Sequence, residues 1–248
     1  VLRKLHLPRV DGDEPTSVPK PSSPGFANPD FLAAIQQKCP VLKDLSLCML
    51  RSQGDSHEVA IYRGLGEIPT LRKIHLSIYC TQSLLWDKEL VDIMDDPDSS
   101  TTPGKEDLIN ELDDALMNLA IDETLARSIS RTISAAKPNY AAPLECLTLC
   151  VDALKSHGGF NSGRSLIHLL QYVGRSWICT GTLRDDCLHE CLLEEYDIEE
   201  KLDREWMEQS GDLADMVDVK FASALHRVWP DVHSSNWKNE WHSFPLQV

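Results

Sequence analysis

Two short segments of the chain carry residue types that could do chemistry. Gly158-Gly159-Phe160-Asn161-Ser162-Gly163-Arg164-Ser165 has the spacing of a phosphate-binding loop, in which backbone N–H groups cradle phosphate oxygens. Arg164 stands where a lysine would reach the terminal phosphates, and no acidic strand end is evident to hold magnesium. A turn leading into a helix is the preferred reading, with a nucleotide-binding enzyme using 158–165 as the alternative. Cys187-x-His189-x-Cys191, with Cys179 as a possible fourth ligand, offers the soft donors zinc takes. Alternate positions point to one side only on a strand, and zinc sites usually come from paired knuckles, so packed or surface thiols are expected. No serine or cysteine sits in a G-x-S-x-G elbow, and the nine histidines are dispersed. The chain therefore reads as no enzyme, with no catalytic residue, no metal site and no cofactor.

Composition narrows the class further. With 248 residues and 42% hydrophobic content, the chain can bury a core of domain size. A formal net charge of -15 repels phosphate backbones and anionic lipid, and no local basic patch is found, so neither nucleic acid nor a membrane surface is an expected partner. No apolar run approaches the roughly 20 residues of a membrane span. The eight cysteines lack C-x-x-C spacing and read as reduced thiols of an intracellular protein, cytoplasmic or nuclear. The chain opens on Val1 inside a repeat, so further sequence is expected upstream.

The elements that position these residues follow from a pattern repeated along the chain. Leu2-x-x-Leu5-x-Leu7 is echoed by Leu42-x-x-Leu45-x-Leu47, Leu71-x-x-Ile74-x-Leu76 and Leu144-x-x-Leu147-x-Leu149. In L-x-x-L-x-L the last two apolar positions alternate as on a half-buried strand, which is the strand signature of a leucine-rich repeat. The intervals from Leu2 to Leu42, Leu42 to Leu71 and Leu71 to Leu144 are 40, 29 and 73 residues, so the first carries an insertion and the third has room for extra helices.

Pro, Ser, Gly and Asp crowd 11–28, which reads as an exposed, mobile loop. Asp30 is the candidate N-cap of a helix reaching Lys38, with Phe31, Leu32 and Ile35 at helical spacing. After a breaker-rich stretch over 92–104, Leu108, Ile109, Leu112, Ala115, Leu116 and Leu119 form one helical face. Leu125, Ile129 and Ile133 continue it after a restart at Asp122. Helices over 165–173 and 213–228, strands over 177–180 and 191–196, and a solvated acidic helix face over 194–208 complete the expectation. Trp177, Trp206, Trp229, Trp237 and Trp241 concentrate in the last third and suggest a packed terminal cap.

The fold expected is α/β, an irregular leucine-rich-repeat solenoid of short parallel strands plus helices over 1–155, with a helical insertion at 105–136. A helical, Trp-rich cap or extension over 156–248 closes it. Equal offsets in each repeat align Lys4, Asp44, Lys73 and Cys146 in one row on the face opposite the leucines. His6, Ser46, His75 and Thr148 form the next, and Pro8, Cys48, Ser77 and Cys150 a third. Asp44 then lies between two lysines. Lys4, His6, Asp44, Ser46, Lys73, His75 and Thr148 are the candidate partner contacts, against the plainer reading of a solvated sheet face.

Cys39-Pro40-x-Leu42-x-x-Leu45-x-Leu47, together with Ala120-Ile121-Asp122-Glu123-x-Leu125-Ala126-Arg127-Ser128-Ile129, resembles the leucine-rich-repeat portion of fungal F-box-type proteins. The resemblance spans residues 1 to about 155. It implies a protein substrate held by the repeats and, if an F-box lies upstream, docking on cullin-based ubiquitin ligase components. The strand-loops lack the usual closing Asn or Cys, with Cys80 the nearest match. A structural repeat scaffold unrelated to ubiquitin is the alternative.

Overall fold

The computed structural model describes residues 2–7, 26–79, 105–151, 173–181, 191–196, 222–231 and 241–247. Within them the chain forms β1 (Lys4–His6), α1 (Pro29–Lys38), β2 (Asp44–Leu50), α2 (Ser56–Glu67), β3 (Lys73–Tyr79), α3 (Lys105–Leu119) and α4 (Glu123–Ala135). Then come β4 (Cys146–Val151), β5 (Trp177–Gly181), β6 (Cys191–Glu195) and α5 (Ala222–Val228). The architecture is mixed α/β, with one open six-stranded sheet in the order β1-β2-β3-β4-β5-β6.

The first four strands are parallel and stand in sequence order, each crossover carrying helix. Leu5 pairs with Leu45, Leu45 with Ile74, and Ile74 with Leu147. The next apolar layer runs Leu47, Leu76, Leu149, each at most 1% exposed. These side chains join Leu32, Ile35, Leu65, Leu116, Ile129 and Ile133 of the helices in one cluster. The apolar side of the sheet is thus the floor on which the helices lie, and each fully buried Leu or Ile stabilises the fold by about 1.5–3 kcal/mol.

Helix boundaries follow local chemistry. Asn28, not Asp30, caps α1: its side-chain oxygen accepts from the Phe31 N–H at 2.9 Å, Pro29 starts the helix without needing a donor, and Asp30 falls in the first turn. Asp122 caps α4 through the Leu125 N–H at 2.8 Å, at the expected restart. The sequence reading assigns nothing to 55–67, yet Asp55 caps α2 through the Glu58 N–H, and Val59, Tyr62 and Leu65 bury one face. Gly66 of α2 lies so close to the Ile133 carbonyl and Ala136 that an added Cβ would collide with them. The α2 and α4 backbones meet there.

Beyond β4 the sheet turns antiparallel. β5 pairs with β4 and β6 with β5, so the strands expected at 177–180 and 191–196 extend the same sheet. Glu194 and Glu195 accordingly sit on a strand rather than on an acidic helix, and the rest of 194–208 lies outside the described residues apart from Tyr196. Trp177 donates from its indole to the Ile121 carbonyl at 2.8 Å, and Trp229 to that of His242 at 2.8 Å. Trp229 packs against Trp241 and Phe244. Trp206 and Trp237 lie outside the described residues, as do 8–25, where most of the expected loop falls. The end of that stretch is not exposed: Phe26 is 3% exposed and bridges to Cys48. Among the described residues no helix is long and apolar enough to cross a membrane.

Candidate recognition surface

Side chains alternate along each strand, so Asp44, Ser46, Lys73, His75, Cys146 and Thr148 point away from the helix layer. The register places Lys4 beside Asp44, Asp44 beside Lys73, and Lys73 beside Cys146. His6, Ser46, His75 and Thr148 form the adjacent row, each paired with the next. Both expected rows are therefore assembled across four strands. Lys4, His6 and Lys73 are exposed, Asp44, Ser46, His75 and Cys146 half-buried, and Thr148 buried. Lys4 Nζ lies 3.0 Å from Asp44 Oδ2. Such an exposed pair contributes about 0–1 kcal/mol and mainly fixes side-chain direction.

The third row is also in register, Cys48 with Ser77 and Ser77 with Cys150, but all three are buried. Phe26 explains part of this: it bridges to Cys48 and meets Tyr79 edge-on at 5.6 Å between ring centroids. Pro8 lies outside the described residues. Past β4 the two open rows continue through Thr180 and Leu192, and through Ile178 and Glu194. Leu192 is 56% exposed, so the face changes from cationic at β1–β3 to apolar and acidic at β6.

The sequence shows no basic patch, but folding builds one. Lys43 donates its N–H to the Arg3 carbonyl at 2.9 Å, Arg72 to that of Lys43 at 2.8 Å, and Glu145 to that of Arg72 at 2.8 Å. Arg3, Lys43 and Arg72 therefore have neighbouring backbones, about 4.8 Å apart, at the entries to β1, β2 and β3, immediately before Lys4, Asp44 and Lys73. Cations far apart in sequence share one edge because β1, β2 and β3 are each immediately preceded by one, whereas Glu145 precedes β4. Arg72 is paired with Glu145 at 2.7 Å, whereas Arg3, Lys43 and Lys73 are exposed.

Lys137, after α4, reaches the nearby loop and donates to the carbonyls of Ile68 at 3.3 Å and Leu71 at 2.7 Å. Burial lowers its ammonium from the ordinary 10.5 to about 8. Below pH 8 both folded and unfolded chains are charged there, and the desolvation penalty is fully present. Between 8 and 10.5 the unfolded chain holds a proton the folded chain has released, so this group makes folding more favourable as pH rises. The stability difference between the native chain and Lys137→Met should therefore shift toward the native chain over that range. Urea unfolding of both at about pH 7.5 and about pH 10 measures it, and an unchanged difference would mean a well-solvated ammonium.

None of the six described cysteines is joined to another in a disulfide. Cys179 lies on the core side of β5, where burial pushes its thiol well above the ordinary range, with Cys191 of β6 adding to the shift. Cys187 and His189 lie outside the described residues, as does the loop over 158–165. Among the described residues no cluster of three or more His, Cys, Asp or Glu could hold a metal ion.

The most developed polar constellation is one the sequence reading missed. Arg51 and Glu58, both with side chains 0% exposed, form an ion pair with Nε to Oε1 at 3.5 Å. The Arg51 guanidinium donates to the carbonyls of Met117, Asn118, Ala120 and Phe244 at 2.9–3.1 Å. Glu58 accepts from the backbone of Ser52 and Gly54 and from the Tyr62 hydroxyl, each at 2.8 Å. Every partner of the guanidinium is a main-chain oxygen or Glu58, so the pair clamps the β2–α2 loop to the end of α3 and to the C-terminal segment. Its signal in the sequence is Asp55-x-x-Glu58 alone; the carbonyl partners are set by tertiary packing. Compared with known proteins, the chain matches no family model, no curated protein and no solved structure.

Proposed function

We propose that this chain is a non-catalytic protein-recognition module that docks a partner on the open sheet face, and that it forms the substrate-binding part of an F-box-type ubiquitin ligase adaptor. The observation that carries the first part is the alignment of Lys4-Asp44-Lys73 and His6-Ser46-His75 over three parallel strands, on the side opposite the helices. A rigid sheet holds those side chains at fixed spacing, which lowers the ordering cost of binding. The ligase role rests on the resemblance of the Cys39-Pro40-x-Leu42 repeat and the 120–129 segment to F-box-type proteins.

Site-specific photo-cross-linking in the full protein tests both parts. A photo-reactive residue at His6, exposed on the open face, should capture a protein partner, whereas one at Arg131, exposed on α4, should not. Equal capture from both positions would refute the face assignment. Cullin-ligase components should accompany the protein when it is isolated from its own cells, and their absence would remove the adaptor role.

A further inference from the structure

We infer that the basic edge of the open face receives an acidic segment of the protein partner, an extended stretch with Asp or Glu side chains at alternate positions. This deepens the recognition reading and rests on it. Arg3, Lys43 and Lys73 are exposed and have no carboxylate partner among the described residues, while Lys4 and Arg72 flank them in pairs with Asp44 and Glu145. Five cations against two carboxylates give this edge a charge opposite to the net -15 of the whole chain. In a molecule with that balance, a local positive strip draws an anionic ligand to one place and the remaining surface repels it elsewhere.

Geometry selects a peptide. Three neighbouring strands span about 10 Å, and alternate side chains of an extended peptide repeat at about 6.6 Å, so two successive acidic side chains fit within the strip. A nucleic-acid backbone carries a charge at every phosphate and would set some of them against Asp44 and Glu145. A peptide places neutral residues there instead. At the far side of the face Glu194 repels the acidic segment, which confines it to β1–β3.

The test is fluorescence anisotropy of a labelled Glu-Ser repeat peptide with the full chain. Binding should weaken several-fold between about 20 mM and about 200 mM salt. Lys43→Glu with Lys73→Glu should weaken it at least about 10-fold, while Arg63→Glu with Arg131→Glu, exposed on α2 and α4, should leave it within about 2-fold. All four positions are exposed, and thermal midpoints check that the variants remain folded. No peptide binding, equal weakening by both pairs, or tighter binding of an oligothymidylate of the same charge would overturn the inference. If cross-linking from His6 persists in any of these cases, only the acidic preference falls; if it too is lost, the recognition reading falls with it.

Discussion

Arg51→Met is expected to lower the unfolding free energy by about 3–5 kcal/mol, the usual consequence of leaving one charge of a buried pair uncompensated. Met fills a similar volume, so the loss measures polar contacts rather than a cavity. Glu58 would keep its hydrogen bonds from Ser52, Gly54 and Tyr62 but lose the cation, and four carbonyls would lose their donor. Two of those carbonyls, of Met117 and Asn118, belong to the last turn of α3, where the helix leaves its acceptors unpaired and favours positive charge. Arg51→Lys should recover little, because one ammonium cannot reproduce the planar fork that reaches Ala120 and Phe244 together. Arg51→Met with Glu58→Leu should cost less than the sum of the single changes, with a coupling of about 0.5–3 kcal/mol, since neither charge is then stranded. It should remain below the native chain, because the carbonyls and the Ser52 and Gly54 N–H groups still lack partners. Urea unfolding reads the native chain, the three single variants and the double variant, and a loss under about 1 kcal/mol for Arg51→Met would show that water reaches the pair.

That clamp and the sheet differ in how far they could be read from the chain. The parallel ladder was legible because L-x-x-L-x-L fixes both the strand and which side is apolar, and a one-residue slip would expose Leu45, Leu47, Ile74 and Leu76 together. Register followed from equal offsets, which is why Lys4, Asp44 and Lys73 fall in one row as expected. α2 is faint in the sequence although Asp55-x-x-Glu58 precedes Val59 and Tyr62, because Gly64 and Gly66 weaken its helical propensity; the helix forms through burial against α4. The antiparallel turn of β5 and β6 has no local signature, since strand direction is decided by the connection and not by the strand. The basic edge was hidden for a related reason. Arg3, Lys43 and Arg72 are far apart in an acidic sequence and become neighbours only when β1, β2 and β3 pair.

Leu76→Ala should cost about 2–5 kcal/mol, whereas Lys73→Ala, three residues earlier on the same strand, should change stability by no more than about 0.5 kcal/mol. Leu76 is 0% exposed and sits directly between Leu47 and Leu149, so truncating it opens a void flanked by two strands that hydrogen bonding holds in place. Neither strand can close in without breaking its own ladder, which places the expected loss toward the upper end of the range. Lys73 is exposed, and its loss removes no packed surface. The contrast between the two reads strand parity in solution, and the proposed docking face depends on that parity: the side chains it would present are those the helix layer does not need. Denaturant midpoints of the two variants supply the measurement. Equal losses would mean that both sides of β3 are packed, leaving no open face for the proposed docking.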